Sequence, residues 1–227
     1  MTTPQDVVTK TLPARMAEQL RRDIISKEIA PGSHITAKEI AELWHTSQVP
    51  VREAFSILAG EGLIEINAYR GVTVLELSEE RINEINDIVG ALEVLLCRMC
   101  IQKGVSPELI EALTNINNEL EVLTKKINDD NQLAIERVSL NMEFHRTMYS
   151  SMKGTETYRL YERYVNHLEA IRHVYAMPTK RVIETVQEHY QLIDALKAGD
   201  ADELVRLIRA HSVNSRVRFG LYKGNVI

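Results

Sequence analysis

The sequence is poor in the features that would mark a membrane, secreted or strongly basic protein. It has no run of 18 apolar residues, so no membrane-spanning helix is expected. Residues 1–10 are polar and lack the apolar core of a signal peptide, which points to a cytoplasmic protein without a membrane partner. Only two cysteines occur, Cys97 and Cys100. Their Cys-x-x-Cys spacing suits redox chemistry or half a zinc site, but there is no adjoining Gly/Pro turn, no nearby strand and no second pair. Buried free thiols, acting as small hydrophobes, are the expectation. A basic excess is also missing: the net charge is −5, and the first 75 residues carry eight Lys and Arg against nine Asp and Glu. The electrostatic footprint of a nucleic-acid binder is therefore absent from the composition. If DNA is bound, non-specific affinity should be weak, because that term scales with phosphates neutralised. Low-complexity segments and solenoid repeats are absent as well.

What is present is enough chain for two domains with real cores, 227 residues at 44% hydrophobic content. The N-terminal part centres on Ser47-Gln48-Val49-Pro50-Val51-Arg52-Glu53-Ala54-Phe55. Ser47 suits an N-cap and Pro50 the first helical turn. Val51, Ala54, Phe55 and Leu58 form one apolar stripe, leaving Gln48, Val49, Arg52 and Ser56 on other faces. Alone, this reads equally as a short amphipathic helix with a solvated arginine. The flanks favour a helix-turn-helix. Thr36 and Glu39 have capping-box spacing, Ile40 and Leu43 offer a buried side, and a short link leads to Ser47. Downstream, two β-rich runs around Asn67-Ala68-Tyr69-Arg70-Gly71 read as a hairpin wing with Arg70 at its tip and Gly71 allowing close backbone approach. The N-terminal end of such a second helix reads base edges, with Arg52 suited to guanine and Gln48 to adenine.

Residues 12–76 resemble the winged-helix domain of the GntR family of bacterial transcription regulators. The resemblance is carried by Leu20, Ile24, Ile29, Pro31-Gly32, Ile40-Ala41-Glu42-Leu43, Ser47, Pro50-Val51-Arg52-Glu53-Ala54, Leu58, Glu61-Gly62-Leu63 and Arg70-Gly71. It implies contacts to double-stranded DNA from Lys38, Gln48, Arg52 and Gly71, to which position adds Ser47 and Arg70. The family usually has Arg where this chain has Gln48.

Residues 1–11 read as a loose tail. Ser78-Glu79-Glu80-Arg81 marks a boundary, with acids in a first helical turn where the helix dipole favours them. From 78 to 227 the pattern holds six helices and no strand, joined by short links that imply an antiparallel bundle. The expected fold is mainly α: a winged helix-turn-helix over 12–76 and a six-helix bundle over 78–227. The first bundle stripe is Ile82, Ile85, Val89, Leu92, Leu96 and Met99. The second is Leu109, Leu113, Ile116, Leu120, Leu123 and Ile127.

Three histidines, His145, His189 and His211, occupy positions where apolar residues are expected. Buried imidazoles need partners, so they are either separately satisfied core residues or converging ligands of one ion. Asn141 projects from the same side as His145. Residues 78–227 resemble the ligand-binding helical domain, called FCD, of the FadR subfamily, through Glu143-Phe144-His145, Glu188-His189 with Ile193, Ala195, Gly199 and Asp200, and His211. Six helices resemble its VanR-type branch. Many such domains bind a divalent metal through an aspartate and three histidines. The resemblance therefore implies zinc or nickel at His145, His189 and His211, with Asn141 in the aspartate's place. The family often has an effector-binding arginine four before a glutamate matching Glu93, where this chain has Val89. An effector carboxylate would then fall to Arg98, Arg146 or Arg172, each otherwise a surface charge, with His167 and His173 near the same cavity.

Two functions stand against each other at this stage. One is a homodimeric regulator that binds a pseudo-palindromic operator and responds to a small-molecule effector. The other is a metal-dependent hydrolase in a helical bundle. The second lacks a His-Glu-x-x-His motif and leaves the winged helix unexplained.

Overall fold

The computed structural model describes residues 11–26, 28–68, 70–76, 78–126, 131–174 and 182–218. The chain divides after Glu76 into two compact units.

The first unit holds α1 (Leu12–Ile25), β1 (His34–Ile35), α2 (Ala37–Leu43), α3 (Gln48–Gly60), β2 (Ile64–Asn67) and β3 (Gly71–Val74). Met16, Leu20 and Ile24 of α1 meet Val51, Ala54, Phe55 and Leu58 of α3 in its core, as their periodicity predicts. Arg21 grips Glu61 through two bonds, tying α1 to the end of α3. The Thr36–Glu39 capping box forms, with Glu39 N–H donating to Thr36 Oγ1 at 3.2 Å and Thr36 N–H to Glu39 Oε2 at 2.8 Å. Three expectations need correcting. Leu43 is 69% exposed rather than buried. Ala37, Ile40 and Ala41 form the inward stripe of α2, and Leu43 lies roughly a third of a turn from its centre. Ser47 occupies the N-cap of α3 with extended backbone, yet its hydroxyl makes no capping bond. The wing is also more than a hairpin. β1 adds a third strand in the order β1-β3-β2, all antiparallel. Two residues are too few to show an alternating pattern.

The second unit contains α4 (Glu79–Lys103), α5 (Pro107–Lys125), α6 (Asn131–Met148), α7 (Glu156–Val174), α8 (Val182–Ala198) and α9 (Ala201–Arg218), with a 3-10 turn at Ser150–Met152. Ser78 caps α4 and Ser106 caps α5, each accepting from an N–H three residues on at 3.2 Å. The main packing contacts run α4–α7–α6–α5–α8–α9 and back to α4, a closed cycle around one core. The expected seam of α5 is rotated. Leu113, Asn117, Leu120 and Thr124 are the buried residues, while Leu109, Ile116 and Leu123 are half-buried. Ile127 lies outside the described residues. Asn117 and Thr124 can be inside because each is hydrogen-bonded, Asn117 to the Val186 carbonyl at 3.1 Å and Thr124 to that of Leu120 at 2.7 Å.

One glycine is fixed by geometry. Gly71 opens β3 with φ +97°, and a Cβ there would stand 2.5 Å from the Ile35 carbonyl oxygen of β1. Backbone cannot yield as a flexible side chain does, so Gly71 is required for the wing whatever it touches on DNA. Gly71→Ala should lower unfolding stability by about 1–3 kcal/mol. Gly32→Ala, which has positive φ (+80°) but open space around it, should cost less. Denaturant unfolding of the two variants beside the parent checks this ordering, and equal costs would contradict it.

Candidate nucleic-acid interface and candidate metal centre

In the first unit, α3, the start of α2 and the wing enclose a groove of about 450 Å³. Lys38, Gln48, Arg52, Arg70 and Gly71 line it, over a floor that includes Phe55, Ile66 and Val72. Five of the six expected DNA-facing residues thus share one concave face; Ser47 is exposed outside its lining. The three cations offset the deficit in overall charge by position. Arg52 Nη2 donates to Gln48 Oε1 at 3.2 Å. Lys38 stands 3.9 Å from Glu42, an exposed pair of little energetic weight.

In the second unit, His145, His189 and His211 are all buried and bring one ring nitrogen each within 4.8 Å of the others. Their outer partners orient them. Asn117 donates to the Val186 carbonyl, so its own oxygen must accept from His189 Nδ1 at 3.0 Å, leaving Nε2 as the ligand-capable atom. His189 also stacks on Phe144, ring centroids 3.8 Å apart. His211 Nδ1 donates to Glu188 Oε2 at 2.7 Å, and Asn214 holds the other Glu188 oxygen at 2.8 Å. Burial pushes the His211 imidazole down to about 4, against the pull of Glu188, so it is neutral near pH 7. His145 Nδ1 lies 3.2 Å from Glu93 Oε1, an ion-pair contact rather than a well-aligned hydrogen bond. Its Nε2 faces His211 Nε2 at 3.1 Å.

Because His211 Nδ1 donates to Glu188, its Nε2 turns a lone pair toward His145 Nε2, and a metal ion between the two nitrogens would accept from both. His189 and His211 are braced through their second nitrogens by an amide and a carboxylate, as metal-ligating histidines usually are, and His145 Nδ1 has Glu93 beside it. The residues present therefore fit a divalent ion.

Asn141 sits one turn before His145, half-buried, with its amide 3.7 Å from Met142 Sδ. The carboxylates nearest the rings are Glu93 and Glu188, which sequence reasoning did not assign. Glu93 was legible as an acid on the apolar side of α4, where it is 6% exposed.

The cavity beside these rings is about 10 Å³, bounded by residues including Asn86, Glu93, Met142, Arg172 and Ser212. That suffices for an ion or one water. Of the five expected effector residues, Arg172 lines it, buried, with Nη2 donating to Ser215 at 3.0 Å. The others are placed differently. Arg98 is on the outer face of α4, paired with Asp202 at 3.1 Å. Arg146 is engaged by Asn166 at 2.8 Å and Glu169 at 2.6 Å. His167 is half-buried edge-on to Tyr164, its pKa lowered first by burial and then by Arg81 and Arg163. The side chain of His173 lies outside the described residues.

A winged helix with a cationic groove, joined in one chain to a helical bundle with a polar centre, is the build of a DNA-binding transcription regulator. The comparisons agree. Residues 12–74 match the family described as bacterial regulatory proteins, gntR family, and residues 84–214 match the FCD domain. The chain belongs to the GntR family of transcription regulators, in the branch that carries an FCD domain. It is 26% identical over 210 residues to the HTH-type transcriptional regulator BphR of Paraburkholderia xenovorans, covering 91% of this chain and 85% of that one. It is 25% identical over 195 residues to the HTH-type transcriptional repressor RspR of Escherichia coli, covering 85% and 82%. The solved structure of E. coli McbR/YncC shares the fold, with a TM-score of 0.69 at 19% identity over 93% of this chain and 98% of that one. These relatives and both domains belong to transcription regulators, not enzymes, so the hydrolase alternative falls. Among the described residues, no helix is long and apolar enough to cross a membrane.

The cysteines are free and buried, as expected. Burial pushes the Cys97 thiol up to about 12 and raises Cys100. Cys97 Sγ lies 3.6 Å from the Tyr149 hydroxyl, and Cys100 Sγ 3.7 Å from both the Ser151 hydroxyl and the Met148 carbonyl. The nucleophile is the thiolate, so native protein at pH 8 should react with iodoacetamide far more slowly than denatured protein. Mass spectrometry of the labelled chain checks this, and rapid labelling of native Cys97 would contradict it.

Proposed function

We propose that this regulator binds a pseudo-palindromic operator as a homodimer and senses a small molecule at a divalent-metal site in its helical domain. The observation that carries the reading is the cluster of three buried histidines whose ring nitrogens lie within 4.8 Å of one another. Zinc or nickel would be held by His145, His189 and His211, with Asn141 as a weak fourth ligand. When bound, the ion supplies an electrophilic point for an anionic effector group. Arg172 is the cation beside it, in place of the arginine absent at Val89, and suits a carboxylate. Lys38, Ser47, Gln48, Arg52, Arg70 and Gly71 form the DNA contact set, with Arg52 on a base edge and Arg70 on phosphate.

The cavity of about 10 Å³ gives this sensing a physical form. Ligand sites usually run to roughly 300 Å³ or more, so an effector enters only if helices around the rings move apart. An effector that favours the opened bundle shifts the population toward it, which is the differential affinity that allosteric control needs.

The metal reading is tested by thermal melts. Zinc or nickel added to chelator-treated protein should raise the melting temperature, because metal binds the folded bundle alone. His189→Ala should lose that response, and Asn141→Asp should enlarge it by adding an anionic oxygen ligand. Melts that neither chelator nor metal moves would overturn the site.

The DNA reading is tested at Arg52. Arg52→Ala should weaken specific operator binding by about 1–3 kcal/mol if its fork grips a guanine edge. Arg70→Ala should weaken all sequences alike and flatten the salt dependence. Unchanged operator affinity for Arg52→Ala at fixed salt would remove that assignment.

A further inference from the structure

The groove of the first unit holds an apolar side chain that the DNA contact set leaves unused. Its lining joins the cations Lys38, Arg52 and Arg70 to an apolar floor. Phe55 and Val72 of that floor are buried in the core, but Ile66 is 52% exposed. Side chains alternate along a strand, so Ile66 of β2 shares a face with Ile64, which is buried. Ile66 pairs with Val72 of β3. It stands where the core face of the sheet runs out into the groove.

Lys38 and Arg70 suit phosphate, and Arg52 suits a base edge. Ile66 suits neither. The dimensions of DNA decide what it meets. A helix with its side chains is about 10–12 Å across, and the major groove is about 12 Å wide. With α3 lying in it, the groove has no room for a second element. The wing beside α3 therefore meets the sugar-phosphate strand that walls the groove. Each nucleotide of that strand offers an anionic phosphate and an uncharged sugar with C–H faces. That is the mixture of cations and exposed apolar surface that the protein groove presents.

We infer that the groove between α3 and the wing seats one backbone strand of the operator, with Ile66 packed on deoxyribose and Lys38 and Arg70 on phosphates. Thymine methyl is the other apolar surface in the major groove, but it lies on the groove floor, which α3 covers. Ile66 thus adds affinity without reading sequence. The inference rests on the DNA-reading role proposed for α3.

The test uses the full-length protein and a duplex it selects from a randomised pool. Hydroxyl-radical footprinting reads the sugars directly. Wild type should protect a run of deoxyriboses on one strand of each half-site. Ile66→Thr keeps a β-branched, strand-compatible residue but puts a hydroxyl in place of an apolar branch. It should weaken binding severalfold on all sequences alike and expose sugars within that run. Its salt dependence should match wild type, because the slope counts phosphates neutralised. Ile66→Leu, still apolar, should stay close to wild type. An unchanged footprint and affinity for Ile66→Thr would overturn the inference. So would a loss confined to one base position, which would make Ile66 a reader of a thymine methyl. If wild type selected no duplex, the DNA-reading role itself would fall, and this inference with it.

Discussion

The helical domain is built around a line of polar contacts, Glu93 to His145 to His211 to Glu188, that runs through its core. The line is braced from every side of the helix cycle. Glu93 comes from α4, Asn117 from α5, His145 from α6, Arg172 from α7, Glu188 and His189 from α8, and His211 from α9. Burying an unpaired charge is expensive, whereas a fully satisfied network is tolerated and specifies one packing. The apolar stripes drive collapse of the six helices, and the polar centre fixes which faces meet. The rotated face of α5 is one result: Asn117 goes inward because His189 and the Val186 carbonyl receive it.

Under the proposed function, a metal ion held between these rings would change the charge seen by Arg172 and Glu93 across a cavity barely larger than an ion. In that proposal a centre so tightly closed would not admit an effector passively: the energy for opening would come from contacts the effector makes in the opened form, with Arg172 and the proposed ion as anchors.

The winged helix was legible because its signals are local. Capping spacing at Thr36–Glu39 and the stripe on α3 lie within a few residues of each other, and the structure keeps both. What escaped was set by tertiary context: the two-residue strand β1, the outward Leu43, and the missing capping bond of Ser47. In the bundle, the histidines stood out as imidazoles on apolar faces. Their braces did not, because Asn117 and His189 meet only when the helix cycle closes, 72 residues apart in sequence. The arginines were the hardest to sort. A long cationic side chain fits either face of a helix, and only packing showed Arg172 inside and Arg98 outside.

The central claim, that the histidine line holds one exchangeable cation, is tested most directly by calorimetric titration of zinc or nickel into chelator-stripped protein. The titration is run at two pH values. The account predicts one metal per chain, lost in His145→Ala, with affinity falling as the pH drops and the imidazoles protonate. No metal binding, or binding that His145→Ala leaves unchanged, would contradict it.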